Sequence, residues 1–411
     1  MAGHDRKKQV SSANVGRRLL VGMGASAGVF LAAAAMATGA TVTAAPAKAD
    51  FEDLLDPIIQ PILTSLTDSI GAFDPAAALD LTNWTDSFLA SLNSIDLAVP
   101  AASESAASAA VPAASDPVTG TYDIPVSVKE VTEPTVQATV DGTTNTLLVD
   151  TGSSGLVIPW EDLGSNDFTA LEKLFELGSP IGSGFSGYSG GVEYFYLTYD
   201  APVSLVGGTG LDAGSTPIDV EIFSYPTSFS SPWSFEQFVA DNDSTGILGI
   251  GDGVGPATAS PLQADGYEGV TLDVPGKELV ISPTNAGTPI PGATFSDVTS
   301  GAPITDLYES VNGGTPVAVS DDVDSGGVYG NIPSSLLGSA TTVPSGTTIS
   351  VYDNAAGTGT PLYTYVTGTD SLGTSTSPSV VSGTDIDSGV EPFLLHPIYI
   401  DYANDTLTFD K

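Results

Sequence analysis

Two segments of this 411-residue sequence place an Asp-hydroxyl-Gly triplet behind an apolar run. The first is Val149-Asp150-Thr151-Gly152-Ser153-Ser154, after Leu147-Leu148. The second is Val323-Asp324-Ser325-Gly326-Gly327, after Val317-Ala318-Val319. An aspartate at the end of a buried strand loses its water, which is costly unless it is hydrogen-bonded or shares a proton. The glycine permits a tight turn, and the adjacent hydroxyls can donate to a carboxylate. One such triplet alone means little: Asp387-Ser388-Gly389 is a third occurrence and reads as chance. The informative feature is the pair of strand-ending copies, 174 positions apart. If the two carboxyls meet, they cannot both ionise cheaply, so one can act as base while its neighbour holds a proton and acts as acid.

Composition leaves few rivals to that chemistry. There are no cysteines, which removes thiol catalysis, disulfides and zinc–thiolate sites. The histidines are His4 and His396, so a hydroxyl-histidine-carboxylate triad would have to use His396, which reads instead as a partly buried structural residue. No cofactor is expected. From position 50 onward only Lys129, Lys173, Lys277 and Lys411 oppose 48 acids. Such a surface repels phosphate backbones and anionic membranes, so nucleic acid is excluded as a partner. Asp241-Asn242-Asp243-Ser244-Thr245-Gly246 through Asp252 matches part of a calcium loop, but the glycine-rich stretch after it cannot supply the exiting helix. Asp321-Asp322 reads as a pair of solvated turn residues.

The elements that must position the two aspartates follow a plan with four parts. Residues 1–49 have a basic start with Arg17-Arg18, an uncharged apolar stretch from Leu19 to Ala37, and Ala47-Lys48-Ala49 ahead of a plausible cut. This is the layout of an export signal peptide. No later apolar run is long enough to span a membrane, so the expected product is secreted or held at the cell surface by protein contacts. Residues 50–97 read as a small helical accessory region, with Leu54, Leu55, Ile58, Ile59, Ile62 and Leu63 at helical spacing and Pro57 and Pro61 breaking the run. That region is a candidate for contact with the cell envelope. Residues 98–117 form an Ala/Ser/Pro linker. Residues 118–411 hold short apolar and alternating runs separated by Gly, Pro, Asn and Asp, which indicates an all-β body.

The body resembles the pepsin-like aspartic proteases. Asp150-Thr151-Gly152-Ser153-Ser154-Gly155-Leu156-Val157-Ile158-Pro159 is similar to that family's first catalytic turn and the strand beyond it. Tyr188-Ser189-Gly190-Gly191, leading to Tyr199-Asp200, looks like the flap hairpin. Gly246-Ile247-Leu248-Gly249-Ile250 resembles the strand packed behind the first aspartate, and Ile398-Tyr399-Ile400-Asp401-Tyr402-Ala403-Asn404 resembles a late hairpin. Among such enzymes the likeness is to the mycobacterial proteases associated with PE domains, although 51–100 contains no PE-like Tyr-x-x-x-Asp/Glu motif.

The resemblance implies a bilobal fold and an endopeptidase acting on polypeptides through activated water, with cell-surface or secreted proteins as its natural substrates. It implies that Asp150 and Asp324 are catalytic. Thr151 and Ser325 would tie the two turns together, Ser153 would orient Asp150, and Tyr188 would close the flap over substrate. Two positions depart from the family pattern. Gly327 stands where a hydroxyl would orient Asp324, and Val157 stands where many relatives have a tryptophan that restrains the flap tyrosine. On this reading Gly327→Thr should add the missing bond and shift the alkaline limb of activity downward. Gly327 also admits an alternative, a catalytically weakened peptide-binding protein with the same cleft.

Overall fold

A computed structural model describes residues 120–411, apart from 189–190, 228–230, 253–259, 297–303 and 339. The signal peptide, the helical accessory region and the linker lie outside the described residues. The body is all-β, as expected, with short helices only at its edges.

The first lobe is an eight-stranded sheet that closes on itself. Strands Glu133–Val140, Thr143–Asp150, Gly246–Ile250, Ser154–Pro159, Leu211–Pro226 and Val192–Val206 follow one another, and the last pairs back onto the first. Closure depends on the strand Val192–Val206, whose register with Leu211–Pro226 shifts between Phe195 and Tyr196 and again between Pro202 and Ser204. Extra residues of this kind bend a strand and increase its twist. One end of the strand therefore pairs with Gln137–Val140, while the other forms a hairpin with Gly182–Tyr188.

Register is fixed early in this lobe. Asp141 and Gly142, both at positive φ (45° and 77°), make the two-residue turn between Glu133–Val140 and Thr143–Asp150. An Asp-Gly pair adopts this conformation readily, and its twist matches that of the flanking strands. The turn sets Val140 against Thr143 and Thr135 against Leu148, which delivers Asp150 at the inner end of its strand.

The second lobe contains the five-stranded sheet Tyr363–Val366, Thr348–Tyr352, Ile304–Val311, Val317–Asp322 and Asp385–Asp387, with a small parallel pair, Asn331–Pro333 and Ser379–Val381. A six-stranded sheet joins the lobes. It takes Tyr122–Pro125 from the start of the body, Gly269–Asp273, Glu278–Ile281 and Pro289–Ser296 from its middle, and the hairpin Ile398–Asp401 with Thr406–Asp410 from its end. A continuous apolar cluster runs through both lobes, from Ile124 and Leu147 to Phe393 and Phe409. Among the described residues, no helix is long and apolar enough to cross a membrane.

Candidate active site

Both aspartate turns leave a strand that has a parallel partner beside it. Thr143–Asp150 runs parallel to Gly246–Ile250, with Asp150 opposite Gly249. Val317–Asp322 runs parallel to Asp385–Asp387, with Asp322 opposite Asp387, and Asp324 follows two residues later. Each strand is held on both sides, so its end is rigid and buried. Asp150 and Asp324 are 3% and 2% exposed, and Thr151 and Ser325 are fully buried.

The turns are tied to each other by four hydrogen bonds. The amide of Thr151 donates to Ser325 Oγ (3.0 Å), and the amide of Ser325 donates to Thr151 Oγ1 (2.8 Å). Each hydroxyl then donates across the junction, Thr151 Oγ1 to the Val323 carbonyl (2.6 Å) and Ser325 Oγ to the Val149 carbonyl (2.7 Å). A hydroxyl can donate once and still accept, and here both capacities are used.

This lock sets the carboxyls side by side. The Gly152 amide donates to Asp150 Oδ1 (2.9 Å) and also reaches Asp324 Oδ1 (3.2 Å). The Gly326 amide donates to Asp324 Oδ1 (2.7 Å). The two glycines are needed for the close approach: a Cβ on Gly152 would stand 2.4 Å from Asp324 Cγ, and one on Gly326 would stand 2.8 Å from Asp150 Oδ1. Ser153 Oγ donates to Asp150 Oδ2 at 2.6 Å. Burial, then the charge of Asp150, then that of Asp387, push the Asp324 carboxyl well above the ordinary carboxylate range. Two buried carboxyls this close cannot both ionise cheaply, so the pair can share one proton, which is the state needed to activate a water and polarise a carbonyl.

Tyr188 ends the strand Gly182–Tyr188 of the hairpin that resembles a flap; the turn at 189–190 lies outside the described residues. Its ring is stacked on Tyr194, Phe235 and Phe238 at centroid distances of 5.5–5.9 Å. Its hydroxyl interacts with Ser153 and Tyr194, and burial beside Asp150 pushes that hydroxyl upward in pKa. Val157 lies in the same cluster. The restraint expected of a tryptophan therefore comes from these three aromatic rings and the Ser153 hydroxyl. Sequence reading missed Tyr194, Phe235 and Phe238 in this role; the aromatic-rich run Tyr194-Phe195-Tyr196 was the available signal.

Two further readings change. Asp387-Ser388-Gly389 is not an incidental triplet: the Asp324 amide donates to Ser388 Oγ (3.1 Å), and a Cβ on Gly327 would stand 2.1 Å from Asp387 Oδ1. The position beside Asp324 that Gly327 leaves open is thus filled by a carboxyl from another strand. Asp321 and Asp322 are not solvated turn residues; they are buried in the strand Val317–Asp322, with burial raising the Asp321 carboxyl well above its usual range. The parallel pairing with Asp385–Asp387 covers them.

The other acids flagged by sequence spread apart. Asp243 faces Lys129 at 3.9 Å, while Asp252 is buried and accepts from Gln263 (3.1 Å). The second half of this segment forms the strand Gly246–Ile250. Among the described residues, no group of three or more acids and histidines converges on a point that could hold a metal ion. His396 is half-buried, with Nδ1 2.9 Å from the Asp410 carbonyl oxygen.

An all-β body with two such turns locked together defines an aspartyl peptidase-like domain, and comparison with known proteins agrees. The chain belongs to the family of PE-PGRS C-terminal aspartyl peptidase-like domains, whose model matches residues 122–408. It is 38% identical over 298 residues to PE cleavage protein A of Mycobacterium tuberculosis, covering 68% of this chain and 50% of that protein. The protein of the same name from Mycobacterium marinum is 39% identical over the same length and shares. The chain thus spans about half the length of the curated relatives it matches.

Proposed function

We propose that this protein is an aspartic endopeptidase that hydrolyses peptide bonds with a water activated between Asp150 and Asp324. The observation that carries the reading is the convergence of the two buried carboxyls, with the Gly152 amide shared between them. Asp150 accepts hydrogen bonds from Gly152 and Ser153, and it acts as the base. Asp324 keeps its proton and donates to the scissile carbonyl oxygen. The water oxygen attacks the carbonyl carbon as its proton passes to Asp150; collapse of the tetrahedral species then expels the amine, which takes that proton from Asp150, while a hydroxyl of the intermediate returns a proton to Asp324. No acyl-enzyme forms. Thr151 and Ser325 hold the geometry, and Tyr188 closes over the substrate to exclude bulk water.

The substrates are polypeptides. The relatives' name refers to cleavage of PE, and the same class is the first candidate here, within a wider set of exported or surface proteins. The signal-like layout of 1–49 supports export to the cell surface, and residues 50–97 are the segment proposed to contact the envelope. Activity should have an acidic optimum, because the pair needs one proton and loses it as pH rises through the upper apparent pKa. The test is digestion of an acid-denatured protein by the secreted form, with and without a pepstatin-type inhibitor. Inhibitor-sensitive cleavage is expected. No cleavage of any candidate by a folded protein would leave the peptide-binding alternative.

A further inference from the structure

We propose that Asp387 is a positioning residue for the catalytic pair: its carboxyl takes the place of a hydroxyl at position 327 and holds the proton on Asp324. The inference rests on the reading of Asp150 and Asp324 as that pair.

Space makes the substitution exclusive. A Cβ on Gly327 would meet Asp387 Oδ1 at 2.1 Å and its Cγ and Oδ2 at 2.7 Å, so residue 327 cannot carry a side chain while Asp387 stands there. The third triplet is fastened to the second. Ser388 Oγ accepts from the Asp324 amide (3.1 Å), the Ser388 amide donates to the Asp322 carbonyl (2.9 Å), and Asp387 Oδ1 accepts from the Gly389 amide (2.7 Å). The Asp387 amide donates to Asn331 Oδ1 at 3.3 Å. Asp387 is 2% exposed, and its Oδ2 has no hydrogen-bond partner among the described residues.

The groups that act on the two carboxyls are acids and amides. Asp150 and Asp387 act on Asp324, together with the Gly326 amide. Asp322, Asp321 and Asp150 act on Asp387, together with the Gly389 amide. Burial comes first for both, and both carboxyls are raised well above the ordinary range.

The chemistry is therefore opposite on the two sides of the site. Ser153 donates to Asp150. A hydroxyl at 327 would do the same for Asp324. A carboxyl there does the reverse, because any charge it takes opposes loss of the proton from Asp324. The pair is thus biased, with Asp150 fixed as base and Asp324 as donor, and the donor form persists to higher pH.

The test is the pH–rate profile on a small peptide at fixed ionic strength, for the unmodified chain, Asp387→Asn, and the double variant Asp387→Ala/Gly327→Ser. Asp387→Asn keeps the shape and removes any charge that the carboxyl takes as pH rises. It should lower the alkaline limb by about one pH unit or more, the scale of one close charge. The double variant should lower it at least as far, since its hydroxyl can donate to a charged Asp324; it also carries the test if Asp387→Asn does not fold. Gly327→Thr alone should destabilise the fold by displacing Asp387, contrary to the simple addition of a bond. An alkaline limb unmoved in the folded variants would overturn the proposal. A second readout is the ¹³C carboxyl titration of Asp324, assigned with Asp324→Asn. If the unmodified chain has no peptidase activity but this titration moves in Asp387→Asn, the proposed function fails and the link between the carboxyls stands. If the chain cleaves peptides and the titration does not move, the link fails alone.

Discussion

Thr151 and Ser325 exchange backbone-to-hydroxyl hydrogen bonds in both directions, at 3.0 and 2.8 Å, across 174 residues of chain. Removing either hydroxyl orphans two groups on the opposite turn. In Ser325→Ala the Thr151 amide loses its acceptor and the Val149 carbonyl loses its donor, both in the interior. Leaving two buried polar groups unmade should cost about 2–4 kcal/mol of stability. Urea unfolding will measure it. A double-mutant cycle with Thr151→Ala should show strong coupling, and additive losses would mean that the turns are held independently.

Asp150→Asn and Asp324→Asn should each reduce peptidase activity by at least ~10²–10⁴-fold, because one carboxyl cannot serve as base and acid together. Folding should survive, since burial already disfavours the charged form of Asp324. Circular dichroism and a thermal melt should match the unmodified protein. A purified variant that still cleaves the peptide at full rate would remove the pair from the mechanism.

Tyr188→Phe should keep the stack on Tyr194, Phe235 and Phe238 while losing the interaction with Ser153. The loss of one hydrogen bond in the closed state corresponds to about a tenfold drop in kcat/KM. Tyr188→Ala, which empties the stack, should lose more and melt earlier. Steady-state kinetics at the acidic optimum will separate the two.

Stability should be greater in mild acid than above neutrality. Burial raises Glu161 to about 7, Glu221 to about 8 and Glu391 to about 7, and lifts Glu309 and Asp321 well above their ordinary values. These folded-state carboxyls keep their protons to a higher pH than the unfolded chain does. The contribution of Glu161, Glu221 and Glu391 is complete below the ordinary glutamate value of 4.5 and is lost as pH rises through 7–8, and that of Glu309 and Asp321 is lost in the same direction. Melting at pH 5 should exceed that at pH 8 by at least about 2 °C at fixed ionic strength. An equal or higher melting temperature at pH 8 would show that these groups are ionised at no cost.

Much of the candidate active site was legible in the sequence because it is local. An aspartate, a hydroxyl and a glycine behind an apolar strand specify a tight turn with its own donors, and Asp141-Gly142 sets the register that delivers the first turn. The all-β body was legible for the same reason, since alternation and turn residues act over a few positions.

Contacts made across long stretches of chain were not legible. Asp387 sits 60 positions beyond Gly327, and only the parallel pairing of Asp385–Asp387 with Val317–Asp322 brings its carboxyl to the place a side chain at 327 would fill. The same pairing buries Asp321 and Asp322, which local reading places in solvent. Likewise, Val157 marks a missing ring, but the rings that replace it come from the neighbouring hairpin strand and a short helix at Phe235–Ala240. The sequence by itself determined the residue types and turns that can do aspartic chemistry. Tertiary structure decided which carboxyls stand together and which neighbour packs against them, because burial and proximity, not residue type, set the cost of charge.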